Sequence, residues 1–302
     1  MLKHLLVGLD GSLMAESAAV VAAGLAGRTG ARVTLLHVLE ESPPLSVHGE
    51  RHLAQEAEAE QYLRDLAKRI FPPGAEVACH VHPQPTRRLA KDLALHAEEF
   101  RPDLVVLCAH GGVRIRDRIR GNIAQQLVGM RACPVLLLQA RPRGEAIFPF
   151  RSILVPLDGQ AVHERCLPLA REVAAACDAE MLLLTVVPSP GMLRGRQQAA
   201  SALLPAATQE MMKLEEEQAA SHLAGLIGQI GGRGLRASAR VVRGDPAREI
   251  IREAKEAKAD LIALGTHGRA GTDAFWAGTV TPKLLRGLRA GFLLAPVAEE
   301  EK

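Results

Sequence analysis

Asp260-Leu261-Ile262-Ala263-Leu264-Gly265-Thr266-His267-Gly268-Arg269, followed after a short loop by Gly278-Thr279, orders the rest of the chain around it. An unbroken apolar run ending in glycine reads as a buried parallel strand that delivers its C-terminal end to a ligand. Gly265 lets backbone approach that ligand with no Cβ in the way. Gly268 and Gly278 permit φ > 0 and turn amide N–H groups inward, an arrangement that cradles phosphate oxygens. Thr279 stands where a helix should begin. Its hydroxyl can cap that helix, and the free N–H groups of the first turn favour an anion there. Pro282 in that turn agrees, because a missing N–H costs little where no intrahelical acceptor exists.

Composition bounds the reading. A chain of 302 residues with 48% hydrophobic residues has room for about two domains with real cores. Only 3% of residues are aromatic, which makes those cores aliphatic and leaves little for a base-stacking platform. A formal net charge of +3 is too small for a general polyanion binder, so no nucleic-acid partner is expected. Cys79, Cys108, Cys133, Cys166 and Cys177 form no C-x-x-C pair and are odd in number, as suits a reducing cytosol. The Leu5-Leu6-Val7 run is too short for a signal peptide, and no stretch approaches a membrane span. A cytoplasmic protein with no membrane partner is the expectation.

The chain repeats itself. His4-Leu5-Leu6-Val7-Gly8-Leu9-Asp10-Gly11 matches Ser152 to Gly159, and Leu35-Leu36-His37-Val38 matches Leu183-Leu184-Thr185-Val186, both at an offset of 148 residues. Asp103 to Gly111 matches Asp260 to Gly268. The Pro- and Arg-bearing stretch 141–149 reads as the linker, so domains over 1–141 and 150–298 are expected. Within each copy, short apolar runs alternate with helical periodicity, which predicts βαβ units and a mostly parallel sheet. Strands are predicted at 3–10, 32–38, 76–82, 103–109 and 134–139, and again at 152–158, 180–187, 235–242, 260–266 and 291–295. Helices are predicted at 13–28, 50–70, 86–99 and 122–130, and at 162–177, 208–229, 246–257 and 279–288. The fold class is therefore α/β: two tandem doubly wound, Rossmann-like domains of five strands and four helices each. In such a sheet the crevice opens at the carboxyl ends of strands one and four, where Asp158 and the Gly-rich loop meet.

The spacing Gly265-x2-Gly268-x9-Gly278-Thr279 resembles the nucleotide-binding signature of the universal stress protein family. The D-G after strand one, L-L-H-V in strand two and D-L-I-x-x-G-T-H-G-R after strand four extend that resemblance over nearly the whole chain. It implies a regulatory module that binds ATP or another adenine nucleotide, with Mg as an optional companion. The implied contacts in the second copy are Pro156, Leu157, Asp158, Val186, Gly265, Thr266, His267, Gly268, Arg269, Gly278, Thr279 and Val280. In the first copy they are Asp10, Val38, His110, Gly111, Gly121 and Asn122. The resemblance also implies pairing of the last strands, 134–139 with 291–295, which would cover two apolar edges and make an intramolecular pseudo-dimer, with a further homodimer open.

Blander roles compete at several positions. Asp158 followed by Gly is a common turn-former. His267 and Arg269 can hold the loop, and Thr279 can simply cap a helix. The first copy departs from the pattern where it counts: Cys108 replaces the first glycine, Gly112 the arginine and Asn122 the hydroxyl residue, while Pro83-Gln84-Pro85 replaces Gly244-Asp245-Pro246. The first site is expected to be weak or absent. Arginines at 114, 116, 118 and 120 read as a solvated loop. His48, His52, His80, His82, His96 and His110 would have to converge to bind a metal, and no metal is expected.

No Walker A motif, no G-x-G-x-x-G after strand one and no nucleophile–base pair is evident. Catalytic residues are accordingly not assigned. A protein–protein scaffold with empty sites and a slow ATPase or phosphotransferase remain as alternatives, and an unidentified protein partner goes with the regulatory reading. Pro188 to Ala207, rich in Pro, Gly, Ala and Ser, reads as a lid over the crevice that nucleotide would order.

Overall fold

In the computed structural model, the described residues are 1–41, 46–47, 50–51, 53, 55–109, 123–130, 133–139, 147–189, 203–231, 234–266 and 280–297. The expected contacts His110, Gly111, Gly121, Asn122, His267, Gly268, Arg269, Gly278 and Thr279, the arginine-rich loop and most of the lid lie outside them. The chain divides into two compact units: 1–149 with 266–269 and 290–302, and 150–265 with 270–289.

The first unit contains β1 (His4–Leu9), α1 (Leu13–Thr29), β2 (Arg32–Glu40), a small hairpin of β3 (Ser46–Val47) and β4 (Glu50–Arg51), and α2 (Glu56–Ile70). It continues with β5 (Val77–Thr86), α3 (Leu89–Phe100), β6 (Leu104–Ala109), α4 (Ile123–Gly129) and β7 (Val135–Gln139). The main strands run parallel in the order β5-β2-β1-β6-β7, so the order reverses between β1 and β6. Helix α1 begins where Ser12 Oγ accepts the Ala15 N–H at 3.2 Å and ends at Gly30, whose φ of 73° no β-branched residue would adopt readily. Its small buried face, Ala15, Ala18, Ala19 and Ala22, lets the helix lie close on the sheet.

The second unit contains β8 (Ser152–Leu157), a 3₁₀ turn over His163–Cys166, α5 (Leu167–Cys177), β9 (Glu180–Val187) and α6 (Pro205–Gly231). It continues with β10 (Ala237–Arg243), α7 (Pro246–Glu256), β11 (Leu261–Thr266) and α8 (Val280–Gly287). Its parallel order is β10-β9-β8-β11, the same reversal between β8 and β11. The sheets are mostly parallel with helices on both sides, in two repeats, as the alternating pattern implies.

Strand β12 (Gly291–Pro296) is the exception to strict tandem order. It belongs by sequence to the second copy, yet it runs antiparallel along β7, Phe292 opposite Leu137 and Leu294 opposite Val135. Phe292, Leu293 and Leu294 are fully buried, each contributing about 2 kcal/mol by the usual scale for an apolar side chain removed from water.

Element boundaries differ from the sequence reading by a few residues at several elements, and three of the differences have a clear physical reason. Helix α2 starts at Glu56 rather than 50, with Glu56 and Glu58 in a first turn that favours negative charge. Strand β5 runs through Pro83 and Pro85 to Thr86, because an edge strand tolerates residues that donate nothing on its open side. The predicted helix 162–177 is a 3₁₀ turn followed by an α-helix with Pro168 in its first turn, where the missing N–H is harmless.

Candidate functional site

In each copy an aspartate follows the first strand at the point where strand order reverses. In the second copy, Asp158 is almost fully buried and both its oxygens are engaged. Oδ1 accepts the Gln160 N–H at 3.1 Å, closing a turn through Gly159, whose φ is 79°. Oδ2 lies 2.8 Å from His163 Nδ1, which donates to it. The turn-forming role of this aspartate is therefore real, and a histidine absent from the sequence reading orients it. Its signal was a titratable side chain five residues past the aspartate; the first copy has Ala15 there and offers no hint.

Gly265 is held by close packing. A Cβ at that position would lie 2.5 Å from the His163 carbonyl oxygen and 2.8 Å from its Cα, both backbone atoms with nowhere to move. The 3₁₀ turn thus presses directly on the end of β11, and this contact alone accounts for the glycine. Beneath it, burial pushes the Cys166 thiol up to about 12, with a hydrogen bond to the Gly265 backbone acting the other way.

Leu264, Val280 and Thr281 complete the described wall of this crevice, together with Pro156. Val280 opens α8 and is buried, as is Thr281 behind it. These residues enclose about 20 Å³, room for one water molecule. Leu157 pairs with Thr185 on β9, and Val186 beyond it is buried at the strand end. Thr266 is buried too, its carbonyl accepting the Val297 N–H at 3.2 Å.

The first copy solves the same crossing differently. Asp10 Oδ1 accepts from both the backbone and the hydroxyl of Ser12, at 2.9 and 2.7 Å, so α1 is capped at once and no 3₁₀ turn intervenes. Burial and the Asp10 carboxylate push the Cys108 thiol up to about 12, against a hydrogen bond with Ser17. That thiol stays protonated at neutral pH and behaves as a small packing group. At matching positions, Cys108 meets Ser17 of α1, whereas Gly265 meets the backbone of the 3₁₀ turn that carries Cys166. Val38 is buried, and the neighbouring His37 donates from Nδ1 to the Leu9 carbonyl at 2.9 Å, joining the ends of β1 and β2.

Comparison with known proteins fits this geometry. A model of the universal stress protein family matches twice, over residues 1–139 and 149–295. The chain belongs to the universal stress protein family. The universal stress protein Rv2005c of Mycobacterium tuberculosis is 26% identical, over 96% of this chain and 95% of that one. A universal stress protein structure from Archaeoglobus fulgidus has a TM-score of 0.65 at 14% identity, covering 99% of this chain and 97% of the other. The cytoplasmic domain of a prokaryotic cation chloride cotransporter has a TM-score of 0.54 at 14% identity, covering 100% and 98%. These two structures share the fold, and a fold alone assigns no activity. Among the described residues of this universal stress protein, no helix is long and apolar enough to cross a membrane, and no cluster of three or more His, Cys, Asp or Glu suits a metal ion.

Proposed function

We propose that this universal stress protein is a regulatory module that binds an adenine nucleotide, ATP in the first instance, in its second copy. The observation that carries the reading is the meeting of Asp158, Gly265 and the start of α8 around one crevice at the strand-order reversal. Asp158, held rigid by His163, would take the ribose end; Val186 at the end of β9 would lie against the base. The phosphates, with or without Mg, fall to the 267–279 loop and to Thr279. Nucleotide would order the 188–207 segment and change the surface offered to a protein partner, in the cytoplasm. The intramolecular pseudo-dimer belongs to the same reading and draws its support from the β7–β12 ladder. Calorimetric titration of the full chain with ATP, beside nucleotide analysis of the denatured protein, tests it. Micromolar binding at one site per chain is expected, and no binding at millimolar ATP overturns it.

A second reading has its own observation. Both Asp158 oxygens already have partners, as suits a scaffold whose pockets are structural. The same titration separates the two.

A further inference from the structure

One contact is built from different chemistry in the two copies. His80 pairs with Leu36 on β2, and Arg240 pairs with Leu184 on β9; those leucines occupy matching positions, so His80 and Arg240 are counterparts. Asp103 accepts the backbone N–H groups of Lys3 and His4, as Asp260 accepts those of Arg151 and Ser152. Counting back from these aspartates makes His96 the counterpart of Glu253, and Glu99 that of Glu256.

In the second copy the contact is an ion-pair network. Arg240 bonds the buried carboxylate of Glu253 and lies 3.6 Å from Glu256, and Arg252 reaches Glu253 at 2.8 Å. In the first copy it is a chain of imidazoles. His96 Nδ1 lies 3.2 Å from Glu99 Oε2, and its Nε2 lies 3.1 Å from His82 Nδ1. The rings of His80 and His82 stand edge-on to His96, at 4.9 and 5.1 Å between centroids, and His96 stacks on Phe100 at 5.5 Å. A cleft of about 400 Å³, lined in part by His4, Arg32, Glu76, His80 and Glu99, gives water access to this cluster.

Glu99 can only accept, so His96 Nδ1 carries a proton, and the contact between His96 Nε2 and His82 Nδ1 holds a single proton that the tautomer places on one nitrogen or the other. The chain therefore fails when both rings are protonated: two donors then face each other, and two cations share one cluster with His80 beside them. Arg240 and Glu253 have no comparable change between about pH 5 and 8.

We propose that the His80–His82–His96 contact is a pH-sensitive latch between β5 and α3, closed while the imidazoles are neutral and released in mildly acidic solution, whereas the matching contact of the second copy does not respond. Burial holds His96 below its ordinary value; the Glu99 hydrogen bond opposes this, and His80 and His82 add to it. The folded chain therefore binds the proton less readily than the unfolded one. The stabilisation is complete above about pH 6.5 and is lost as pH falls through that value towards the lower folded one. The other charged or titratable groups nearby are Asp92, one turn before His96 on α3, and His4, Arg32, Glu76 and Cys79, which line the cleft; α4, with sequence IAQQLVG, carries none. Because β5 is an edge strand, its release leaves the rest of the ladder paired.

Hydrogen exchange on the full chain without nucleotide, corrected for intrinsic rates, reads the latch directly. Between about pH 7.5 and 5.5, protection over 77–86 and 89–100 is expected to fall by roughly severalfold, while 237–243 and 246–256 change by less than about twofold. Transplanting the second copy's pair, as H80R/H96E, should remove the difference. An equal response in both copies, or a fall that persists in H80R/H96E, overturns the proposal. If that variant does not fold, NMR titration of the wild-type imidazoles decides: His96 titrating at its ordinary value with protection unchanged refutes the latch, and a depressed value with protection lost in step supports it.

Discussion

His163 Nδ1 donates to Asp158 Oδ2 across 2.8 Å, with both side chains nearly excluded from water. The same histidine's backbone lies over Gly265, so one short turn fixes both the carboxylate and the strand end that border the crevice. Orientation at this site is therefore a property of the 3₁₀ turn, and disturbing the turn should disturb binding.

His163→Ala is expected to weaken ATP binding about tenfold by freeing the Asp158 carboxylate, since an oriented group loses its advantage when it must be ordered on binding. Asp158→Ala should weaken it at least as much. Calorimetry on both variants checks this, and unchanged affinity in Asp158→Ala would remove the aspartate from the site.

Gly265→Ala should destabilise the protein by about 1–3 kcal/mol, because the added Cβ meets backbone rather than a flexible side chain. Cys108→Ala, at the matching position of the first copy, should lower stability by about 1 kcal/mol or less by removing one small buried group. Urea denaturation of the two variants gives the comparison.

One ATP per chain is expected. The first copy lacks the 3₁₀ turn and its histidine, and the Cys108 side chain stands where the second copy has none. Gly278→Val should abolish the single site, since the expected phosphate loop needs a glycine there and a β-branched side chain would fill the space. Two equal sites by titration would defeat this reading.

His4 Nε2 lies 2.8 Å from Thr34 Oγ1, and Nδ1 donates to the Phe100 carbonyl at 3.1 Å. Thr34→Val leaves the buried Nε2 without its donor and should lower stability by about 1–3 kcal/mol. Burial, with Arg32 beside it, holds His4 below its ordinary value. The unfolded chain then binds that proton first, so this stabilisation too is whole above about pH 6.5 and fades as pH falls through it. Thermal unfolding across that range should show the loss, smaller in Thr34→Val.

Removing residues 290–302 should expose the edge of β7, with Val135, Leu136 and Leu137 behind it, and drive association. Size-exclusion chromatography of the truncated chain would show larger species; a monodisperse monomer would contradict the role given to β12.

The repeat, the alternation of strands and helices and the place of the crevice were legible in the chain, because they depend on local periodicity and on a strand order that parallel sheets reuse. Asp158 and Gly265 could be picked out by residue type and position. What could not be read was why they are there: Gly265 answers to the backbone of a turn 102 residues earlier, and Asp158 to a histidine that the same 3₁₀ turn carries. His80, His82 and His96 were visible one by one, but a strand and a helix had to pack before they became one cluster. Spacing along a chain encodes what neighbours on one element do; close approach between elements is decided only when burial brings their backbones together.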